Sequence, residues 1–311
     1  MAKQKHFISL ADFTGEQLGG LIDRTIAEKP AYLAGTGEQP LLGRTLAMVF
    51  EKASLRTRVS FEVGMNQLGG SALYVDNRQI GIGTRETPAD IARVLGRMCD
   101  GIMARTYMHR LVEELAQWSP APVINGLSDY SHPCQAMADL TTVQEHFGDL
   151  VGRTLVFVGD GNNVARSLAV GCAKLGVRFV LASPKGYELE DAFFETLLSD
   201  HPDADCALIR SPAKAVAQAD VIYADTWVSM GQEEEKDRRV AAFLKYQINA
   251  DLLAAAPDHA IVLHCLPAYR GYEITDEIFE AYAETIFAEA ENRLHFQRTL
   301  LAVLIGEGGI E

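Results

Sequence analysis

Short apolar runs and helix-period stripes alternate along this chain. Thr45–Phe50 reads T-L-A-M-V-F, a run of the length and character of a buried strand. Phe61, Met65 and Leu68 then recur at i, i+4 and i+7, one face of a helix, and Gly69-Gly70 can end it. Residues 72–75 form a second strand-like run. Thr87-Pro88 reads as an N-cap followed by a first-turn proline, and Ile91, Val94, Leu95 and Met98 continue at helical spacing. Residues 101–104 and 122–124 are further strand candidates. Pro133 opens a long helix carrying Met137, Leu140 and Phe147, and an earlier amphipathic helix surrounds Asp23.

After Gly148 the pattern restarts. Thr154–Val158 is strand-like, Val164, Leu168 and Leu175 mark a helix closed by Gly176, and 179–181, Val221–Ala224 and 261–263 are further apolar runs. Strands separated by helices need crossover connections, which in one sheet are parallel. The expectation is an α/β protein of two domains, 1–147 and 148–311, each a mainly parallel sheet flanked by helices. The boundary falls near 147–152. The last apolar helix, about 290–305, is expected to pack back on the first domain.

The 311 residues are twice what one core commonly serves, which agrees with two domains. With 48% hydrophobic and 23% charged residues, the chain is an ordinary folded protein. A formal net charge of −14 disfavours nucleic acid as a partner, and anionic substrates must be held by a few local cations. Five cysteines, an odd number with no C-x-x-C pair, argue against a disulfide framework or zinc site and for a reducing cytoplasm. The first residues lack a signal-peptide apolar run, and no stretch reaches the roughly 18 apolar residues that span a bilayer.

The richest polar segment is Glu51-Lys52-Ala53-Ser54-Leu55-Arg56-Thr57-Arg58, between a strand and a helix. Helix N-termini offer unpaired N–H groups and the positive end of the dipole. Two hydroxyls and a guanidinium there suit a phosphate; a solvated turn with an N-cap serine is the plainer alternative. The segment lacks the G-x-x-x-x-G-K pattern of a nucleotide loop. Arg105 follows the third strand, and His132-Pro133-Cys134-Gln135 opens the long helix. A lone histidine is more often structural than catalytic, but one at a helix start beside arginines at strand ends points to a site.

In the second half, Gly159-Asp160-Gly161-Asn162-Asn163 resembles a dinucleotide fingerprint, yet Val164 occupies the third glycine position. The next strand ends at Ser183-Pro184 without a ribose-binding acid, so a nicotinamide cofactor is disfavoured. Asn163, Asp225 with Ser229-Met230-Gly231, and His264-Cys265-Leu266-Pro267 each follow a strand. Ligands of open parallel sheets bind at such ends. An amide, a carboxylate and a hydroxyl together suit a zwitterionic amino acid, while each alone could serve capping or loop chemistry.

Taken together, these motifs resemble the aspartate/ornithine carbamoyltransferase family, from about residue 7 to 304. Ser54-Leu55-Arg56-Thr57-Arg58 is similar to its phosphate loop and His132-Pro133-Cys134-Gln135 to its H-P-x-Q motif. Residues 225–231, His264-Cys265-Leu266-Pro267 and Ala290-Glu291-Asn292-Arg293 resemble the ornithine branch. The resemblance implies transfer of a carbamoyl group from carbamoyl phosphate to the side-chain amine of ornithine, giving citrulline and phosphate. It implies that Ser54, Leu55, Arg56, Thr57 and Gln79 serve the phosphate, and that Arg105, His132 and Gln135 serve the carbonyl and carbamoyl amide. Cys265, Leu266 and Arg293 would complete that site, with Arg105, His132 and Cys265 catalytic. Asn163, Asp225, Ser229 and Met230 would bind ornithine. The family further implies a homotrimer, a cytoplasmic location, a place in arginine metabolism, and no metal or organic cofactor. Two departures stand out: Leu55 replaces a hydroxyl residue of the loop, and Gly81 falls where relatives place a Gln or His, leaving Gln79 as the substitute.

Rival readings are a carbamoyltransferase for acetylornithine, putrescine or aspartate, and a non-catalytic binding module. Asp225 favours a free α-ammonium, the Ser229-Met230-Gly231 pattern disfavours aspartate, and the full set of Arg56, Arg105, His132 and Cys265 disfavours a module without chemistry.

Overall fold

A computed structural model describes residues 4–228 and 232–311. It divides into two compact units: one runs to Thr141 and resumes at Glu291–Glu311, the other is Thr142–Ala290. The chain passes between them within the helices Pro133–Phe147 and Ala283–Leu301.

The first unit holds four parallel strands, β1 (Thr45–Phe50), β2 (Ser71–Asp76), β3 (Gly101–Arg105) and β4 (Val123–Leu127), ordered β2-β1-β3-β4. Residues 46–50 of β1 are buried on both faces, which explains their unbroken apolar run. One layer of the core joins Val49, Ile102, Ala104 and Val123 to Val112 and Leu115 of the helix His109–Trp118. Burying side chains of this size stabilises by about 1.5–3 kcal/mol each. Residues 291–301 pack on the helix Leu55–Gln67, with Leu294 and Arg298 lying against Gly64. The last helix from Glu291 onward therefore belongs to the first unit, as its apolar pattern led us to expect.

The second unit holds β5 (Thr154–Val158), β6 (Arg178–Ala182), β7 (Cys206–Leu208), β8 (Val221–Ala224) and β9 (Ile261–His264), all parallel, ordered β7-β6-β5-β8-β9. The sequence reading missed β7. It is a three-residue edge strand, half exposed, and too short to show a period.

Caps set the helix starts. Ser54 accepts from the Thr57 N–H, Thr87 from Asp90, and Asn162 from both Val164 and Ala165. Gly176 closes the helix Asn163–Leu175 in the left-handed conformation, φ 72°. Gly161 has a different reason. A Cβ there would collide with the backbone of Glu188 and Leu189, so this glycine serves chain packing and not a pyrophosphate.

Each sheet order contains a reversal, where connections leave in opposite directions. The reversal lies between β1 and β3 in the first unit and between β5 and β8 in the second. Those are the positions where crevices open at the carboxyl ends of strands.

Candidate active site

In the first unit the reversal brings together the turn after β1 and the last residue of β3. Glu51 ties them: its N–H donates to the Arg105 carbonyl at 2.9 Å, and its carboxylate accepts from the Tyr107 N–H at 2.9 Å and the Asn77 amide at 3.0 Å. The Thr57 hydroxyl is the centre of a buried network. It lies 3.3 Å from a guanidinium nitrogen of Arg105, 3.3 Å from one of Arg293, and 3.2 Å from the Ser54 hydroxyl. A second Arg293 nitrogen donates to the Gln135 amide oxygen at 2.6 Å, and the Gln135 amide nitrogen donates to Asp139 at 2.7 Å. Thr57, Arg105, His132, Gln135 and Arg293 are all buried. A hydroxyl has two lone pairs and one proton, and the contacts to Thr57 are long. An arriving phosphate oxygen therefore competes readily for the same donors.

His132 has its pKa held well below the ordinary value, first by burial and then by the nearby guanidiniums of Arg293, Arg105 and Arg56. Arg56 thus lies within electrostatic reach of the cluster. The imidazole stays neutral at physiological pH, and the arginines carry the positive charge. Guanidiniums gathered this closely repel one another, and an anion bound among them would lower that repulsion. Leu55 is 76% exposed at the first position of its helix. Its side chain faces solvent, so the missing hydroxyl leaves the backbone N–H at the helix N-terminus in place. Gln79 is exposed on the short helical turn Asn77–Ile80, outside the Thr57 network, and Gly81 ends that turn with φ 68°.

In the second unit a side-chain contact spans the reversal. The Asn162 side-chain amide donates to Asp225 at 2.6 Å. The other Asp225 oxygen accepts from its neighbour Thr226 N–H at 2.7 Å and from the Cys265 thiol at 3.0 Å. Asp225 is 8% exposed, a desolvated carboxylate suited to an ammonium group. A second carboxylate, Asp160, is close by and is paired with the buried guanidinium of Arg239. Burial raises the Asp160 pKa against the opposing pull of Arg239, and the charge of Asp225 adds to the rise. Arg239 also donates to the Trp227 carbonyl at 2.5 Å.

Behind Cys265, the Leu266 N–H donates to His264 Nδ1 at 2.9 Å, so the imidazole proton sits on Nε2, 3.1 Å from Glu273. Glu289 accepts from the His264 N–H at 2.7 Å. Leu266 holds φ 56°, rare for a non-glycine residue, and these bonds hold the segment there.

Thus Ser54, Thr57, Arg105, Gln135 and Arg293 form one hydrogen-bonded group, with His132 and Arg56 inside its electrostatic reach. Asp225 and Cys265 form another in the second unit. Asn163 begins the helix, but the side chain on Asp225 belongs to Asn162, which the sequence reading passed over. Asparagine's preference for the N-cap could have identified it. Ser229 and Met230 lie outside the described residues. Asp139, Asp160, Arg239, Glu273 and Glu289 were also missed, since no local pattern distinguishes a buried charge from a surface one.

A first unit lined with cations and a second lined with acids define a two-domain α/β enzyme of the group-transfer class, equipped for an anion in one half and an ammonium in the other. The family profile described as aspartate/ornithine carbamoyltransferase, carbamoyl-P binding domain, matches residues 5–145, and that described as Asp/Orn binding domain matches residues 151–304. The ornithine carbamoyltransferase of Methanopyrus kandleri is 46% identical over 304 residues, 97% of each chain. That of Carboxydothermus hydrogenoformans is 47% identical over 304 residues, 97% of this chain and 98% of the relative. The solved ornithine carbamoyltransferase of Pyrococcus furiosus superposes with a TM-score of 0.92 at 44% identity, covering 99% of this chain and 98% of that one. The chain belongs to the aspartate/ornithine carbamoyltransferase family.

Proposed function

We propose that the protein moves the carbamoyl group of carbamoyl phosphate to the side-chain amine of L-ornithine, giving L-citrulline and phosphate. The observation that carries this reading is the buried meeting of Arg105 and Arg293 at the Thr57 hydroxyl, beside a neutral imidazole and the N-terminus of the helix Leu55–Gln67. Ser54, Leu55 (through its N–H), Arg56 and Thr57 hold the phosphate, first as part of the substrate and then as the leaving anion. Arg105, His132 and Thr57 stabilise the carbonyl oxygen as negative charge grows on it. Asp225, with Asn163, Ser229 and Met230, binds the amino acid, and the Cys265 thiol with Leu266 orients the reacting amine. That amine has a reference pKa of about 10.4 and must lose its proton before attack.

The first half, 1–147, is the carbamoyl-phosphate-binding domain in this reading, and 148–311 the ornithine-binding domain, with the terminal helix, about 290–305, crossing back to the first. The ranges matched by the two family profiles support this. Gln79, exposed near the phosphate loop, reaches the phosphate site of a neighbouring subunit in a homotrimer. The place of action is the cytoplasm and the pathway arginine biosynthesis. Among the described residues no helix is long and apolar enough to cross a membrane.

Purified protein given carbamoyl phosphate and a panel of ornithine, acetylornithine, putrescine and aspartate should produce a carbamoylated amine, citrulline, efficiently with ornithine alone. Faster turnover of another amine overturns the substrate assignment. Light scattering should give three times the 34.0 kDa chain mass, and a fully active monomer would remove the role given to Gln79.

A further inference from the structure

Gln135 is buried with both ends of its amide committed: the oxygen accepts from Arg293 at 2.6 Å, and the nitrogen donates to Asp139 at 2.7 Å. Asp139 lies one helical turn further along Pro133–Phe147 and is itself fully buried. A primary amide can present either atom to a pocket, and its two faces differ little in shape. The choice here is made by charge, because a carboxylate accepts only from the NH2 and a guanidinium donates only to the oxygen. The oxygen is thereby turned toward Arg293, and through it toward Thr57 and Arg105.

Resting on the carbamoyl phosphate reading, we propose that Asp139 is a positioning residue that sets substrate specificity by clamping the Gln135 amide. A carbamoyl group differs from an acetyl group by NH2 in place of CH3, nearly the same in size. Only an acceptor aimed at that position distinguishes them, and a misdirected amide would present its own donors to the substrate NH2. A site built to bond a polar group discriminates far better than one that reads volume. The phosphate end relies on Ser54, Arg56 and Thr57, and the amide reaches it only indirectly, through the long contact of Arg293 with Thr57 at 3.3 Å.

Asp139→Leu replaces the clamp with a larger apolar side chain, and the isosteric Asp139→Asn keeps an acceptor for the Gln135 nitrogen. The assay measures the KM for carbamoyl phosphate beside the inhibition constants of acetyl phosphate and inorganic phosphate. With Asp139→Leu the carbamoyl phosphate KM should rise by about ten- to a hundredfold, the range for an uncompensated buried polar group. The two inhibition constants should stay within about threefold, and Asp139→Asn should restore most of the selectivity. Gln135→Met should show the same loss, and adding Asp139→Leu to it should change the selectivity no further. That double variant removes the carboxylate and the amide together and leaves Arg293 its contact with Thr57, so, compared with Gln135→Met, it carries the test if Asp139→Leu alone does not fold. Equal weakening of all three ligands, unchanged selectivity, or a further loss in the Gln135→Met background would overturn the proposal. A wild-type protein that carbamoylates no amine would instead refute the reading beneath it.

Discussion

The two units solve the same geometric problem with opposite charge. Both place functional groups where a parallel sheet reverses its winding, between β1 and β3 in one and between β5 and β8 in the other. In the first unit the end of β3 and the helix Ala283–Leu301 each bring a guanidinium, Arg105 and Arg293, onto one hydroxyl of the segment after β1, Thr57. In the second, the turns after β5 and β8 bring an amide and a carboxylate together, with the thiol after β9 beside them. The backbone supplies the same crevice twice, and the residues there decide which sign of ligand it takes. The first unit keeps its histidine neutral by burial and then by the cations around it, while the second offsets its extra carboxylate, Asp160, with Arg239. Both leave one sign of charge for a ligand.

The sharpest way to break this comparison is Arg105→Ala. Removing a buried guanidinium from a charge-assisted anion site costs about 3–5 kcal/mol. Carbamoyl phosphate binding, followed by titration calorimetry, should weaken by roughly two to four orders of magnitude on that scale. Affinity close to wild type would remove Arg105 from the anion site.

Asp225→Asn is the mirror experiment. The ornithine KM should rise, or kcat fall, by a factor of tens to thousands, on the ~2–5 kcal/mol scale of a broken desolvated pair. Binary carbamoyl phosphate affinity should stay near wild type. If both ligands weaken together, the division of labour between the units is wrong.

Thr57→Val keeps the shape and removes the shared hydroxyl. With Arg105 and Arg293 still present, kcat/KM should fall by about 5- to 150-fold, the range for one buried hydrogen-bonding group. An unchanged value would mean that the hydroxyl only orders the arginines.

The smallest effect concerns acid. The His132 pKa is depressed in the fold, so its neutral form is favoured. Its contribution to stability is complete above the unfolded value of about 6.5 and is lost as pH falls below that toward the folded value. His6 has the same sign, lowered to about 4 by burial and then by Lys5, and its Nδ1 accepts from the Val123 N–H at 3.1 Å. Denaturant midpoints should therefore fall modestly between pH 6.5 and about 4. His6→Asn, which keeps an acceptor without the titration, should lessen that fall. Activity should show no loss from His132 protonation near pH 6.5, and a titration of His132 there by NMR would contradict the neutral assignment.

Much of this was legible in the residue order because the relevant physics is local. Thr45–Phe50 is an unbroken apolar run because both faces of β1 are buried, and a run of that kind shows without a fold. Ser54 and Thr87 announce helix starts because capping is a bond to a group two or three residues away. Arg56, Arg105, His132 and Asp225 were legible as candidates because polar groups next to apolar runs stand at strand ends or helix starts.

What the residue order could not contain was partnership across long intervals. Arg293 meets Gln135 and Thr57 across 158 and 236 positions, and no period links them. Asn162 bonds Asp225 across 63 positions, because the turn of the chain at the helix start aims its side chain across the sheet reversal. Asp139, Asp160 and Arg239 look like surface charges in the sequence. They are buried or paired because tertiary packing closes over them, and only then does desolvation make each pairing matter. The sequence by itself determined most of the elements, though not the short edge strand β7, along with their parallel order of connection and the kinds of chemistry present. The tertiary structure decided which polar groups share a low-dielectric space, because burial and long-range proximity exist only once the chain has folded.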